Sequence, residues 1–252
     1  MELKTYNNIN FFQSNLLIEH DFKHAFFTKK LRNNKPIELQ NGLDIASNIH
    51  SLNQIHSDKV IQVKNTLCLK PKTADSLITK EPNQSLWIYT ADCMPLLFAD
   101  INTRNIAACH SGLQGLKNQI ISKTLKELEG IGSKKKDLII AIGPSIKGDK
   151  YQVKKKEIND LILQVTGGKY IKKSSYLVEL NKKEIIPLLK RDDKPDRLLI
   201  DIQAAAILQL YMEGIKEYQI NINRLCTYSN PKLFNSFRRD NNCLRQWNCI
   251  YS

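Results

Sequence analysis

The sequence is poor in histidine, arginine and tryptophan and has no long apolar run, and each shortage removes a class of function. Among 252 residues there are five histidines and two tryptophans. The longest strictly apolar runs, Leu138 to Ile142 and Ala204 to Leu208, are five residues each, against the roughly 20 that a membrane-crossing helix needs. No membrane helix is expected. The N-terminal stretch from Met1 to His20 lacks a basic start and an apolar core of roughly 7–15 residues, so no secretory signal is expected and the anticipated location is cytoplasmic. The six cysteines, Cys68, Cys93, Cys109, Cys226, Cys243 and Cys249, include no Cys-x-x-Cys pair. That argues against a disulfide framework or a zinc knuckle and makes each, by default, a small buried hydrophobe.

Positive charge is plentiful: 38 Lys+Arg against 25 Asp+Glu give +13 and a pI near 9.4. Eight of these are arginines, leaving 38 − 8 = 30 lysines. Arginine is the preferred planar reader of phosphate and bases, and it is not what has been enriched. The lysine clusters at 134–136, 154–156, 172–173 and 182–183 sit in polar stretches without interleaved aromatics. A solvated surface is therefore expected, and a nucleic-acid groove is not.

An apolar fraction of 42% supports a sizeable core. No repeat or Pro/Gly/Ser linker divides the chain, so one domain over residues 1–252 is expected. Strand patterning falls on His24–Thr28, Lys59–Val63, Leu86–Thr90, Leu96–Ala99, Asn105–Cys109, Leu138–Ile142, Arg224–Thr227 and Trp247–Tyr251. Helical spacing predicts Lys117–Gly130, with Ile121, Leu125 and Leu128 on one stripe, then Lys155–Val165 ahead of Gly167-Gly168, and Ile202–Glu213, closed by Gly214. Many strands, few helices and no regular β-α-β alternation predict a mixed α/β or α+β fold.

Reactive residues gather at strand ends in three segments: Asn53-Gln54-Ile55-His56, Thr90-Ala91-Asp92-Cys93-Met94-Pro95 and Cys109-His110-Ser111-Gly112. Pro95 is expected to interrupt pairing and to expose Asp92 and Cys93. His56, Cys93 and His110 are a three-ligand complement for a zinc site with an open fourth position. The same residues also read as backbone-bonded strand-end histidines and a core cysteine, and spacing alone does not choose.

Taken in order, Gln54-Ile55-His56, Ala91-Asp92-Cys93-Met94-Pro95-Leu96, His110-Ser111-Gly112, Ile142-Gly143-Pro144-Ser145-Ile146, Asp201-Ile202, Cys226-Thr227 and Phe234-Asn235-Ser236-Phe237-Arg238-Arg239-Asp240 resemble the YfiH-like laccase-domain family. Its members are described as purine nucleoside phosphorylases and, earlier, as polyphenol oxidoreductases. The resemblance implies a sandwich of α/β/β/α type with mixed sheets and one mononuclear Zn2+ held by His56, Cys93 and His110, with copper as a substitute. It also implies purine nucleosides (adenosine, inosine, guanosine, methylthioadenosine) and phosphate as substrates, with an adenosine deaminase side activity. Lys29, Gln54 and Arg238 then become candidates for binding substrate or phosphate, with Arg239 a further basic candidate, and Asp92 a candidate proton carrier. Three departures stand out: Ser57 replaces a glycine, Leu113-Gln114 replace Trp-Arg, and Lys29 replaces an arginine. Each lost guanidinium changes how phosphate would be held.

Two rival chemistries remain. A multicopper oxidase needs a second, histidine-rich cluster with His-x-His pairs, and five unpaired histidines cannot build it. A copper-binding polyphenol oxidoreductase could use only the one site. A cysteine hydrolase would take Cys93 as nucleophile and His110 as base, oriented by Asp92 or Asn53.

Overall fold

The computed structural model of the chain describes residues 1–29, 35–43, 45–64, 71–165, 177–180 and 184–252. Two mixed sheets dominate. The larger runs, edge to edge, β1 (Glu2–Tyr6), β2 (Ile9–Gln13), β3 (His24–Phe27), β18 (Gln246–Tyr251), β8 (Gln84–Thr90), β4 (Asn48–Asn53) and β6 (Lys72–Thr73). The second runs β17 (Ile220–Ile222), β11 (Leu138–Ile142), β9 (Met94–Asp100), β10 (Ile106–Ser111), β7 (Ser76–Thr79) and β5 (Val60–Gln62). Smaller antiparallel units comprise β12 (Gln152–Lys154), β16 (Arg197–Ile200) and β15 (Leu189–Arg191), and the hairpin β13 (Leu177–Leu180) with β14 (Glu184–Pro187). The helices are α1 (Asn15–Glu19), α2 (Pro36–Gly42), α3 (Leu113–Lys117), α4 (Ile120–Gly130), α5 (Lys155–Val165), α6 (Ile202–Met212) and α7 (Phe237–Asp240).

Strand alternation sorts the core into layers. On β9, Leu96 and Phe98 face one way and join Ile140, Leu125 and Ile207 beneath α4 and α6. Leu97 and Ala99 face the other way and pack with Phe26, Leu86, Ile88 and Ile250 of the larger sheet. That sheet's outer face carries Phe11, Phe27 and Trp87 against Leu39 of α2. Both strand faces are buried, so these strands read as continuous apolar runs instead of alternating ones. The order helix, sheet, sheet, helices is the α/β/β/α arrangement expected. Helix α6 is apolar on every side, as a helix enclosed by protein must be, and Asp201 caps it by accepting the Ala204 N–H at 2.9 Å.

Three local expectations are corrected. The helix predicted over Lys117–Gly130 starts later, at Ile120, because Gln119 sits at φ 60°, in the left-handed region, and separates it from α3, which ends at Lys117. The strand predicted at Arg224–Thr227 lies earlier, at β17: the Asn223 side chain accepts the Leu225 N–H and turns the chain, leaving Cys226 one isolated bridge to Ser145. Pro95 does not interrupt pairing. It is the second residue of β9, opposite His110, and its carbonyl accepts the Gly143 N–H at 2.9 Å. Gly167-Gly168, Cys68 and the lysine clusters at 172–173 and 182–183 lie outside the described residues. Among the described residues the other five cysteines are free thiols, and no helix is long and apolar enough to cross a membrane.

His24 is buried, receives the Ser14 N–H on Nε2 at 2.7 Å and donates from Nδ1 to the Phe22 carbonyl at 2.8 Å. Burial lowers its pKa to about 4. Below about pH 6.5 the unfolded chain binds a proton that native His24 refuses until about pH 4, so this residue removes stability as pH falls through that window, about 3 kcal/mol in full. Urea unfolding at several pH values should show this loss in the wild type and a shallower dependence in His24→Gln; equal dependences would rule the coupling out.

Candidate metal centre and its cavity

Three chain segments converge at one end of the two sheets. His56 follows β4, Cys93 lies in the short link between β8 and β9, and His110 is the penultimate residue of β10. Their ligand atoms lie within 4.8 Å of one another, with His56 Nε2 3.7 Å from Cys93 Sγ. A tetrahedral zinc with ordinary bond lengths would set that N···S separation at about 3.6 Å.

Asp75, immediately before β7, builds this arrangement. Its buried carboxylate accepts His110 Nδ1–H at 2.9 Å, His56 N–H at 3.0 Å and Ser57 Oγ–H at 2.7 Å, together with the Ile55 and Ser57 N–H groups. An ionised carboxylate can only accept, so His110 carries its proton on Nδ1 and leaves Nε2 as the ligand atom. Burial alone would raise the Asp75 carboxyl, but the bonds from His110 and Ser57 outweigh it and hold it at about 2. The same carboxylate supports the loop that places His56 at φ 59°, a conformation unusual for a residue with a Cβ. Burial pushes the Cys93 thiol up, yet the charge and hydrogen bond of His110, with the hydrogen bond of His56, carry it well below the ordinary thiol value. His110 is lowered by burial and, more strongly, raised by Cys93 and Asp75.

Gly112 supplies the room. A Cβ there would lie 2.5 Å from Cys93 Sγ, so any larger residue displaces the sulfur. A thiol and two imidazoles gathered at the surface end of the sheets, with His110 buried, Cys93 half-buried and His56 exposed, suit zinc or copper. The remaining histidines lie outside the cluster: His24 is bonded as above, His50 pairs with Gln84 at 2.7 Å, and His20 stands at the end of α1. No second cluster of such ligands occurs among the described residues.

The three ligands line a cavity of about 650 Å3. Leu113 and Gln114, which open α3, line it together with Lys117, Tyr151, Phe237, Arg238 and Arg245. The Arg238 guanidinium lies 4.9 Å from the centre of the Tyr151 ring and donates one bond to the Gln152 carbonyl at 3.0 Å, while Arg245 lies 5.5 Å from the Phe237 ring. Burial pushes the Tyr151 hydroxyl up to about 12, with Cys93 adding to the shift, so it is a neutral donor at physiological pH.

Not every sequence candidate meets here. Gln54 lines the cavity, but its amide pairs with the Tyr89 backbone, accepting at 2.8 Å and donating at 2.9 Å. Lys29 does not line it: its N–H bonds the Leu233 carbonyl at 2.7 Å and its charge acts on Asp240. Arg239 spends its fork on the carbonyls of Thr227, Tyr228 and Phe234 and on Asp240. Asp92 lines the cavity but is largely buried, held by Thr227, Ser236 and the Arg238 N–H. The residue that orients His110 is Asp75, not Asp92 or Asn53. Asp75, Tyr151, Phe237 and Arg245 were absent from the sequence candidates. For Asp75 a signal existed: Ala-Asp occurs at 74–75, 91–92 and 99–100, and all three carboxylates are buried and bind backbone N–H groups.

The sequence profile of the family described as "Multi-copper polyphenol oxidoreductase laccase" matches residues 29–252. A protein of Synechocystis sp. named purine nucleoside phosphorylase is 30% identical over 91% of this chain and 89% of its own. One of the same name from Rickettsia prowazekii is 29% identical over 89% and 91%. Among solved structures, the hypothetical protein YfiH of Bacillus licheniformis superposes with a TM-score of 0.76 at 20% identity over 91% and 92% of the two chains. YlmD of Geobacillus stearothermophilus gives 0.77 at 19% identity, covering 91% of each chain. At these identities the structures establish the shared fold.

Gly112→Ala should lower metal occupancy, measured by elemental analysis, while unfolding stays cooperative; full occupancy would disprove the steric argument. Asp75→Asn should weaken metal affinity about 10–100-fold in a chelator competition.

Proposed function

We propose, on the premise that this chain belongs to the multi-copper polyphenol oxidoreductase laccase family, that it is a zinc-dependent purine nucleoside phosphorylase. The observation carrying the reading is the joint placement of His56, Cys93 and His110 with Arg238 and Tyr151 around one cavity. The names of the curated relatives support the substrate class. Zinc held by His56, Cys93 and His110 would supply a Lewis acid with an open coordination position; copper would fit the same donors.

In phosphorolysis a phosphate oxygen bonds to the ribose anomeric carbon, the glycosidic C–N bond breaks, and the base leaves with that electron pair and takes up a proton. Arg238 is the residue placed to bind the phosphate. Its guanidinium lies over the Tyr151 ring and one N–H is fixed on the Gln152 carbonyl, so the remaining N–H groups are held in place before an anion arrives. Arg245 on Phe237 adds a second fixed positive charge. The Tyr151 hydroxyl offers an uncharged hydrogen bond, and Leu113 presents an apolar surface where the resemblance led to expect tryptophan. Gln54 contributes through the wall it braces at Tyr89.

One observation favours a second reading. His110 lies between the depressed Cys93 thiol and Asp75, the order of a nucleophile, base and orienting carboxylate. Metal analysis and product analysis separate the two. The phosphorylase reading expects about one zinc per chain, adenine released from adenosine only when phosphate is present, and loss of both zinc and turnover in His56→Ala. Inosine formed without phosphate would report the deaminase side activity. A metal-free protein that alkylates at Cys93 and stays folded would overturn the zinc reading in favour of the hydrolase. Salt-sensitive nucleic-acid binding that survives His56→Ala, with no adenosine turnover, would remove the enzyme reading altogether.

A further inference from the structure

Asp92 stands between the metal ligands and the arginine side of the cavity, and every atom of its carboxylate is engaged. Oδ1 accepts the Thr227 hydroxyl at 2.7 Å; Oδ2 accepts the Ser236 hydroxyl at 3.0 Å and the Arg238 N–H at 2.7 Å. Its carbonyl accepts the Ile146 N–H at 2.9 Å. Ser236 is also the cap of α7, accepting the Arg239 N–H at 3.2 Å. One carboxylate therefore fastens the start of α7, the helix that carries Phe237 and Arg238, to the residue preceding Cys93.

The backbone shows how firmly this is held. Asp92 sits at φ 85°, in the left-handed region that a residue with a Cβ rarely enters, and such a conformation persists where surrounding contacts over-determine it. Arg239 reinforces the same segment through the carbonyls of Thr227, Tyr228 and Phe234. A proton carrier needs a lone pair within reach of the substrate's proton, whereas the Asp92 oxygens face three protein donors.

We infer that Asp92 is a positioning residue for the anion-binding side of the cavity: it sets Arg238 at a fixed place relative to Cys93, and it does not relay a proton. The ligand part of this inference rests on the phosphorylase reading; the structural part does not.

Asp92→Ala and Asp92→Asn separate the alternatives. The asparagine can keep its oxygen towards Ser236 and the Arg238 N–H and turn its nitrogen to the Thr227 hydroxyl, which rotates to accept. Asp92→Ala should speed hydrogen exchange at amides 236–240, raise KM for inorganic phosphate about tenfold, and leave kcat within about twofold and zinc content unchanged. Asp92→Asn should restore both the protection and KM. In an Arg238→Met background, Asp92→Ala should add no further rise in KM, since the two act through one contact. Should Asp92→Ala fail to fold, Thr227→Val and Ser236→Ala, which remove the donors singly, should each loosen the same amides.

If Asp92→Asn abolishes kcat while amides 236–240 stay protected, Asp92 is a proton carrier and the inference is overturned. Unchanged protection in Asp92→Ala overturns it equally. A wild type that never consumes adenosine with phosphate refutes the phosphorylase reading alone, and the exchange comparison then decides the positioning role by itself.

Discussion

The site depends on one buried carboxylate. Asp75 is fully shielded from solvent, yet it remains charged because five N–H and O–H groups converge on it. A buried charge is tolerated only when so compensated. The compensation is also what specifies geometry. The groups that neutralise Asp75 come from the 55–57 loop and from β10, so satisfying the charge brings His56 and His110 together and fixes the tautomer of the latter. Cys93 arrives from a third direction, on a link whose own conformation is secured by Asp92. Two carboxylates thus do for the centre what a contiguous motif does elsewhere, and the ligands can be spread over more than fifty residues without losing register.

This division explains which features the sequence disclosed. The inner strands were legible because segments such as Leu138–Ile142 are short continuous apolar runs buried on both faces, whereas the α/β/β/α layering was implied by the family resemblance. The first sheet's outer strands were missed: β1 is Glu-Leu-Lys-Thr-Tyr and largely exposed, so it has no hydrophobic signature. The break between α3 and α4 was hidden because Gln119 is an ordinary helix former, placed in the left-handed region by tertiary packing. At the site, histidine and cysteine announce themselves by type as candidate ligands, whereas Asp75 looks like any turn aspartate until its donors are known. Lys29 and Gln54 were chosen by segment, and their surroundings could not be read the same way: Gln54 lines the cavity with its amide paired to the Tyr89 backbone, and Lys29 lies outside the lining.

Arginine scarcity acquires a physical meaning in the same way. Arg239 clamps three carbonyls around the 227–234 turn, and Arg104 clamps those of His20 and Asp21 while resting 3.6 Å from the centre of the Phe22 ring. These guanidinium groups serve as multi-donor braces where irregular chain must be held. The lysines lie mostly outside such roles, and Lys135, from one of the lysine clusters, is occupied by Glu213 and Glu129. The family's description invokes several copper ions, whereas among the described residues one group, His56, Cys93 and His110, is gathered closely enough that it could hold a metal ion.

The larger sheet carries β18 in its interior, between β3 and β8. Residues 246–251 thus bridge β3, which precedes every residue of the cluster in the chain, to β8, the strand that leads into Cys93. Until they emerge, β3 and β8 each present an unpaired edge, and the shared interface of the two sheets lacks Ile250. During synthesis His56, Cys93 and His110 would all precede the segment that lets the sheet close around them, so the centre would complete only once that segment is free to pair.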